Sequence, residues 1–482
     1  MIRANLFKLV AFAALILPMA AAAADDPPLP QQAEQSLRRA TEFFRIRVSS
    51  HGGYVWRYSE DLSKREGERR TGAETVWVQP PGTPSVGMAF LEAYELTGHD
   101  YLLEAARAAG MCLVQGQLRS GGWEYRIEFE PGRRRRYAYR ADGSRKAARN
   151  TTILDDNTTQ HSLRFLMRLD KTLEFADAPI HEAARYAISS LRKAQYPNGA
   201  WPQRFDRFPV PDRFPVKRAS YPQSWSRKFP RTNFYGHYTF NDRVITSMID
   251  VMFEAAQTYG DTKCRESAEK GGGFILLAQM PEPQPGWAQQ YDVDMHPAWA
   301  RKMEPPAVTG GESRGVLWSL LQLYRHTGDR KYLEPVPKAI AYFRRSVLPD
   351  GRLARFYELK TNRPLYVTGR STLTYDDSDL RDDYRFDVGN WLDDVQIEYD
   401  RLNSLSPEAL NPPGAPPVPK LSQKLETRVR TVIAALDEDG RWVETGRLRY
   451  HGQGDPVARV IDCRRFIKNL RVLSRYVAAA AQ

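Results

Sequence analysis

Pro84-Ser-Val-Gly-Met-Ala-Phe-Leu-Glu-Ala-Tyr-Glu-Leu-Thr-Gly98, then an apolar run from Tyr101 to Gln115, then Ser120-Gly-Gly-Trp123: this stretch decides the fold. Two segments, each long enough for about four helical turns, end in a turn marked by glycine and tryptophan. The order returns as Ser162-Leu-Arg-Phe-Leu166, Ala183 to Gln195, and Pro197-Asn-Gly-Ala-Trp201. It returns as Val244 to Tyr259, Ala268 to Gln279, and Pro285-Gly-Trp287, and again as Gly315 to Gly328, Tyr332 to Val347, and Pro349-Asp-Gly351. A fainter copy, Val429 to Leu436 with Asp439-Gly-Arg-Trp442, closes the chain.

Leu320, Leu323 and Tyr324 fall at i, i+3 and i+4, one face of a helix. A helix pair cannot bury such a stripe alone, so successive pairs must stack. The expectation is an all-α fold of tandem helix hairpins forming an open (α/α) toroid or barrel, with long loops and little β structure. The Gly-Trp turns then share one rim, with tryptophan filling space and glycine permitting the turn.

Two segments break the rhythm. Phe205 to Gly236 is rich in proline, arginine and aromatics, which suggests a lid or a substrate-contacting surface. Ser404 to Lys420 is rich in proline and reads as a tether to the last helices.

Residues 1–24 carry Arg3 and Lys8, an apolar run and a string of alanines before Asp25, the pattern of a cleaved signal peptide. Export to the periplasm or medium is expected. The apolar run is shorter than the roughly 20 residues of a membrane span. The composition, 42% hydrophobic with 10 Trp, 24 Tyr and 20 Phe, is enough for a large core. Cys112, Cys264 and Cys463 form no CxxC pair, which excludes a disulfide framework and a cysteine zinc site but leaves room for one disulfide. The formal charge of +12 favours a polyanionic partner. No recognition helix, RNP motif or zinc finger points to nucleic acid, so an acidic polysaccharide fits the charge equally well. The run Arg133 to Arg136 reads as a solvated loop.

The chemistry-bearing stretches are Leu154-Asp155-Asp156-Asn157-Thr158-Thr159, Tyr238-Thr239-Phe240-Asn241-Asp242, and the loop Pro297 to Ser313 containing Arg301. The first two set acids immediately before an apolar helix, where capping alone is one reading. Together with an arginine in a Pro- and Gly-rich loop they suggest a polar site at one end of the helical bundle.

Lys193-Ala-Gln195-Tyr-Pro-Asn-Gly-Ala-Trp-Pro-Gln203, Thr239-Phe-Asn-Asp242, and Ala300-Arg-Lys-Met-Glu304 through Gly310 and Glu312-Ser313 resemble the pectate lyases of polysaccharide lyase family ten, in the family's motif order, over roughly residues 145–400. The resemblance implies an open α/α toroid that cleaves polygalacturonate, or a related polyuronate, by anti β-elimination with Ca2+. It places the catalytic arginine, the base, at Arg301 and a calcium ligand at Asp242. The family's Asp-Asn pair falls on Asp155 and Asp156, with an acid in place of the Asn and Asn157 in place of a Gly; the alternative register is Asp156-Asn157. Substrate-binding positions implied near the site are Lys302, Arg370, Arg385, Tyr238, Asn241 and Trp201. The chain then divides into a signal peptide (1–24), N-terminal repeats of the same toroid (25–145), a lyase-like core (146–403) and a tether with closing helices (404–482). A monomer acting on an acidic polysaccharide, with no membrane span after signal removal, is expected.

These residue types suit the reaction. The C5 proton of a uronate is alpha to a carboxylate, so its removal builds negative charge that a hard cation and an arginine fork stabilise. Asp155, Asp156, Asn157 and Asp242 offer oxygen ligands without accompanying Cys or His, which favours calcium over zinc. An arginine base needs its pKa, ordinarily above about 12, lowered by neighbouring cations and desolvation. Otherwise Arg301 clamps the carboxylate while Tyr235, Tyr238 or Lys302 takes the proton.

Two other classes compete: a toroidal glycoside hydrolase using Asp155 and Asp242 as acid and base, and a non-catalytic polysaccharide-binding protein. The Gln-x-x-Gly-Trp turns also resemble those of terpene cyclases, but the Asp-rich protonation motif expected there is absent.

Overall fold

The computed structural model describes residues 27–143, 148–231, 233–381, 383–406, 409–410 and 420–482. The leader at 1–24 lies outside the described residues, as does most of the proline-rich tether.

Thirteen helices form the framework of the described chain: α1 (Leu29–Phe43), α2 (Thr83–Thr97), α3 (Asp100–Gly116), the single turn α4 (Pro131–Arg134), α5 (Thr158–Thr172), α6 (Ala178–Lys193), α7 (Val244–Tyr259), α8 (Thr262–Ala278), α9 (Gly310–Thr327), α10 (Pro335–Arg345), α11 (Leu392–Asn403), α12 (Gln423–Ala434) and α13 (Cys463–Ala480). The hairpins α2/α3, α5/α6, α7/α8 and α9/α10 stand where the repeat put them. Their first helices, α2, α5, α7 and α9, here called inner, pack side by side as one layer, and the second helices α3, α6 and α8, here called outer, back them as another. The result is an open α/α toroid, as the repeat predicts. Among the described residues no helix is long and apolar enough to cross a membrane.

Local chemistry sets the helix ends. The N–H groups of Gly98 (φ 72°) and Gly328 (φ 71°) donate to the carbonyls of Tyr94 and Tyr324, so α2 and α9 each stop on a left-handed glycine. Asp177 and Asp261 cap the outer helices α6 and α8 through their carboxylates.

The Gly-Trp turns are structural. The indole N–H groups of Trp123, Trp201, Trp287 and Trp442 donate to backbone carbonyls of the outer helix just completed: Leu113, Leu191, Ile275 and Val432, at 2.8–2.9 Å. One glutamine per unit then ties neighbours together. Gln117 Nε2 donates to Gly121 O and Ala183 O, Gln195 Nε2 to Gly199 O and Ser267 O, and Gln279 Nε2 to Pro285 O and Pro335 O. Each links its own turn to the next outer helix, satisfying carbonyls that a helix end or turn leaves orphaned.

After each turn a short strand pairs antiparallel with the segment leading into the inner helix of the same hairpin. Thr152–Ile153 pairs with Arg204–Phe205, Tyr238–Thr239 with Gln290–Tyr291, and Ala307–Thr309 with Phe356–Glu358. These pairs fix the segments on which the acidic stretches sit. The sequence did not announce a further feature: a four-stranded sheet built from Arg57–Ser59, Arg65–Glu66, Val443–Thr445 and Arg459–Asp462. It joins the two ends of the chain, with Arg57 paired to Asp462 at 2.7 Å and α13 packed on α1 and α2. Cys112, Cys264 and Cys463 are buried free thiols, so the disulfide left open by the sequence does not form.

Candidate active site

Two segments of successive repeats adopt the same unusual backbone. Asp156 (φ 50°, ψ 27°) and Asn157 (φ 58°) precede α5, and Asp242 (φ 47°, ψ 29°) and Arg243 (φ 61°) precede α7. Left-handed conformation at a non-glycine residue costs roughly 1–2 kcal/mol. Such outliers persist where the surrounding structure over-determines them, most often at functional sites. Here the strand pairs fix one end, the inner helices fix the other, and the strained pair turns the carboxylates into a common cleft.

Asp155, Asp156 and Asp242 converge so that one oxygen from each lies within 4.8 Å of the others. Asp155 is the best supported. Its Oδ1 accepts from Gln203 Nε2 at 2.9 Å, and its Oδ2 accepts from the Tyr125 hydroxyl at 2.9 Å and from Arg204 Nη2 at 3.2 Å. Gln79 Nε2 donates to Asp156 at 2.8 Å, and Asn241 Nδ2 donates to Asp242. Burial pushes the Asp156 carboxyl up to about 6, helped by the charges of Asp155 and Glu68. Burial likewise raises Asp242 to about 7, followed by the charges of Asp155 and Asp156. In both shifts the neighbouring carboxylates add their repulsion to the cost of burial. An all-oxygen set of mutually repelling carboxylates fits a hard divalent cation.

Arg301 lines the same cleft, whose volume of about 920 Å³ is in the range of large ligand sites. Glu304, 1% exposed, holds the arginine: its carboxylate accepts from Arg301 Nε at 2.9 Å, Nη2 at 2.5 Å and the backbone N–H at 3.0 Å. That ion pair uses the Nε–Nη2 edge of the guanidinium and leaves Nη1 for the cleft. The Tyr384 hydroxyl also donates to Glu304, at 3.2 Å, and Arg355 stacks over the Tyr384 ring at 4.7 Å. The Glu304 hydrogen bonds hold Arg301 above the ordinary arginine range, the direction opposite to the lowering a base requires.

The other sequence-assigned residues divide. Asn241 supports Asp242 from within the cleft lining. The Asn157 side chain accepts from Ser247 Oγ at 2.9 Å, on α7, and lines a second groove rather than this cleft. Trp201 is fully buried and spends its N–H on Leu191, so it is a core residue without access to a ligand. Tyr238 is 1% exposed and packs against Tyr196 and Phe274, away from the cleft lining. Lys302, Arg370 and Arg385 are exposed and do not line this cleft.

Sequence reading missed the residues that frame Asp155. Arg126 and Arg204 each stand three positions after a Gly-Trp tryptophan, Trp123 and Trp201, and both line the cleft. Arg204 also lies 4.4 Å from the Tyr235 ring centre. The repeated spacing was a signal available in the sequence. Phe234 and Tyr235, at the end of the 205–236 insertion, form part of the same wall.

Residues 117–353, just under half the chain, match the family model described as Pectic acid lyase. No curated protein matches. Among solved structures, the chain is similar to a family 10 polysaccharide lyase from Cellvibrio cellulosa, at 20% identity, covering 61% of this chain and 92% of that one, with TM-score 0.46. A mutant of that lyase solved in complex with trigalacturonic acid gives 20% identity, 66% and 98% coverage and TM-score 0.45. The cellobiose 2-epimerase from Spirochaeta thermophila gives 14%, 70% and 77%, with TM-score 0.42.

Proposed function

We propose that this pectate lyase-like polysaccharide lyase, its residues 117–353 matching the pectic acid lyase family, cleaves polygalacturonate or a related polyuronate by β-elimination after export. The observation that carries the reading is the meeting, inside the matched span, of the Asp155–Asp156–Asp242 cluster and the Glu304-held Arg301 in one cleft.

In this reading a uronate binds with its carboxylate toward the cluster and the free Nη1 edge of Arg301. The C5–H bond breaks and its proton leaves to a base. The C4–O bond then breaks, a C4–C5 double bond forms, and the leaving oxygen takes up a proton. Asp155, Asp156 and Asp242 would hold calcium, which when bound supplies positive charge to the substrate carboxylate as it becomes enolate-like. Arg301 supplies a fixed cation of the same kind, oriented by Glu304. As the protein stands it is held as a guanidinium that neutralises and clamps, and to accept the C5 proton it must first lose its own, which requires the Glu304 pair to loosen. Among the alternative bases, Tyr235 is in the cleft, whereas Tyr238 is not.

The hydrolase reading places two carboxylates on either side of the scissile bond, with separations of about 5 to 9.5 Å. Here three carboxylates converge on one point, within 4.8 Å. That arrangement suits a cation better than it suits an acid–base pair.

Incubation with a panel of acidic polysaccharides, with and without a chelator, tests the proposal. Ultraviolet-absorbing unsaturated products are expected from polygalacturonate, and their loss on chelation. Reducing ends without absorbance would favour the hydrolase.

A further inference from the structure

A second groove lies outside the cleft, between α13 and α12 on one side and the starts of α2 and α5 on the other. Arg464, Lys468, Arg471 and Arg475 are spaced i, i+4, i+7 and i+11 on α13, which sets them on one helix face. All four are exposed, while Phe466, Leu470 and Leu473 between them are buried in the core. Lys424 and Arg428, one turn apart on α12, line the same groove, whose volume is about 870 Å³. Pro81, Ser85, Asn157 and His161 form the opposite wall, and no carboxylate lines it.

Among the described residues only Arg471 of these six cations has an ion-pair partner, Glu92 at 2.7 Å. Like charges one turn apart on a helix repel, so the arrangement calls for an external counter-charge. The α13 row spans roughly 16 Å, enough to face several consecutive charges of a polymer. The groove also leads to the cleft. Pro81 and Arg464 line both the groove and a small pocket shared with Tyr450, and Tyr450 lines the cleft. Of the groove residues named, only Asn157 and His161 fall within the family-matched span.

We propose that this groove docks an acidic polysaccharide chain at a distance from the scissile bond, engaging successive uronate carboxylates so that long polymers bind more tightly than short oligomers. The proposal rests on the polyuronate reading above. Nucleic acid fits less well, because single strands are held by base stacking on aromatic side chains and the groove lining contains no Phe, Tyr or Trp.

Affinity electrophoresis through polygalacturonate gels and calorimetric titration with trigalacturonate test it, comparing wild type with the Lys468→Glu/Arg475→Glu and Lys468→Gln/Arg475→Gln pairs. Polymer affinity is expected to fall about tenfold or more in the Glu pair and less in the Gln pair, with a shallower salt dependence. Trigalacturonate affinity is expected to fall by much less than polymer affinity. Equal losses for polymer and trimer overturn the proposal, as does unchanged polymer affinity in either pair at wild-type melting temperature. Tighter retention by single-stranded DNA gels, lost in the same variants, also overturns it and assigns the groove to nucleic acid. Retention requires no bond cleavage, so this proposal stands or falls separately from the appearance of unsaturated product.

Discussion

Asp156 and Asp242 occupy the same place in two successive repeats. Each is the first of two left-handed residues between a short strand and an inner helix, with φ/ψ of 50°/27° and 47°/29°. The repeat thus brings two carboxylates together from segments 86 positions apart in sequence. The third acid, Asp155, replaces what is Asn241 in the other copy. By the same equivalence Asn157 stands at the place of Arg243, the second left-handed residue of each pair.

The first expectation concerns pH and metal. Asp156 and Asp242 have folded pKa values raised to about 6 and about 7 from 3.8. Between those limits the folded state binds more protons than the unfolded one, so stability of the metal-free protein falls as pH rises from about 4 to about 7. Calcium should relieve that loss, and its stabilising increment should grow across the same window. Thermal melts with calcium and with chelator, at a series of pH values, read this directly. A calcium increment independent of pH would dissociate the cation from these carboxylates. In Asp242→Asn the increment should shrink sharply.

Arg301 and Glu304 give the second. From the loop sequence alone, removing the Arg301 side chain carries little stability cost. The structure says otherwise, because Arg301→Ala strands the buried Glu304 carboxylate. Losing one partner of a buried pair costs about 3–5 kcal/mol, and the half-exposed arginine places this case at or below the lower end. Arg301→Lys retains the charge but not the fork, so it should melt between wild type and Arg301→Ala. If Arg301 is the base, Arg301→Lys lowers the maximal rate by about 10²–10⁴-fold with a smaller change in affinity. If it clamps, affinity suffers more. Single-turnover rates and substrate affinities on folded preparations separate the two.

How much was legible beforehand follows from the kind of signal each feature leaves. The hairpins were readable because apolar spacing and Gly-Trp turns are local and repeated. Asp155, Asp156, Asp242 and Arg301 were readable because each motif is contiguous. Trp201 was misassigned: a tryptophan inside a family-like motif looks the same in sequence whether it faces a cleft or caps a helix carbonyl. The Glu304 pair and the seam joining Arg57 to Asp462 depend on tertiary contacts that spacing does not encode.

Trp201 supplies the third expectation. As a core residue bonded to Leu191, its replacement by alanine should cost about 3–5 kcal/mol. Any loss of activity should be recovered when results are corrected for the folded fraction. A specific rise in KM at unchanged melting temperature would restore it to the substrate site.

The 205–236 insertion supplies the fourth. The polar look of this segment suggests that residues 220–234 can be removed without harm to the fold. In the structure Tyr221 donates to Pro281 O at 3.0 Å, Ser226 O accepts from Trp299 Nε1 at 2.8 Å, and Arg227 pairs with Glu358. Phe234 lines the cleft. Deleting 220–234 should therefore lower the melting temperature as well as weaken polymer binding. Wild-type stability in the deletion would show those contacts to be dispensable.

The reaction itself is tested most directly by the product. Polygalacturonate digested by the purified protein with calcium should yield oligomers with ultraviolet absorbance, each lighter by one water than the hydrolytic product of the same length, as mass spectrometry reads it. Oligomers of full hydrolytic mass without absorbance would contradict β-elimination at this site.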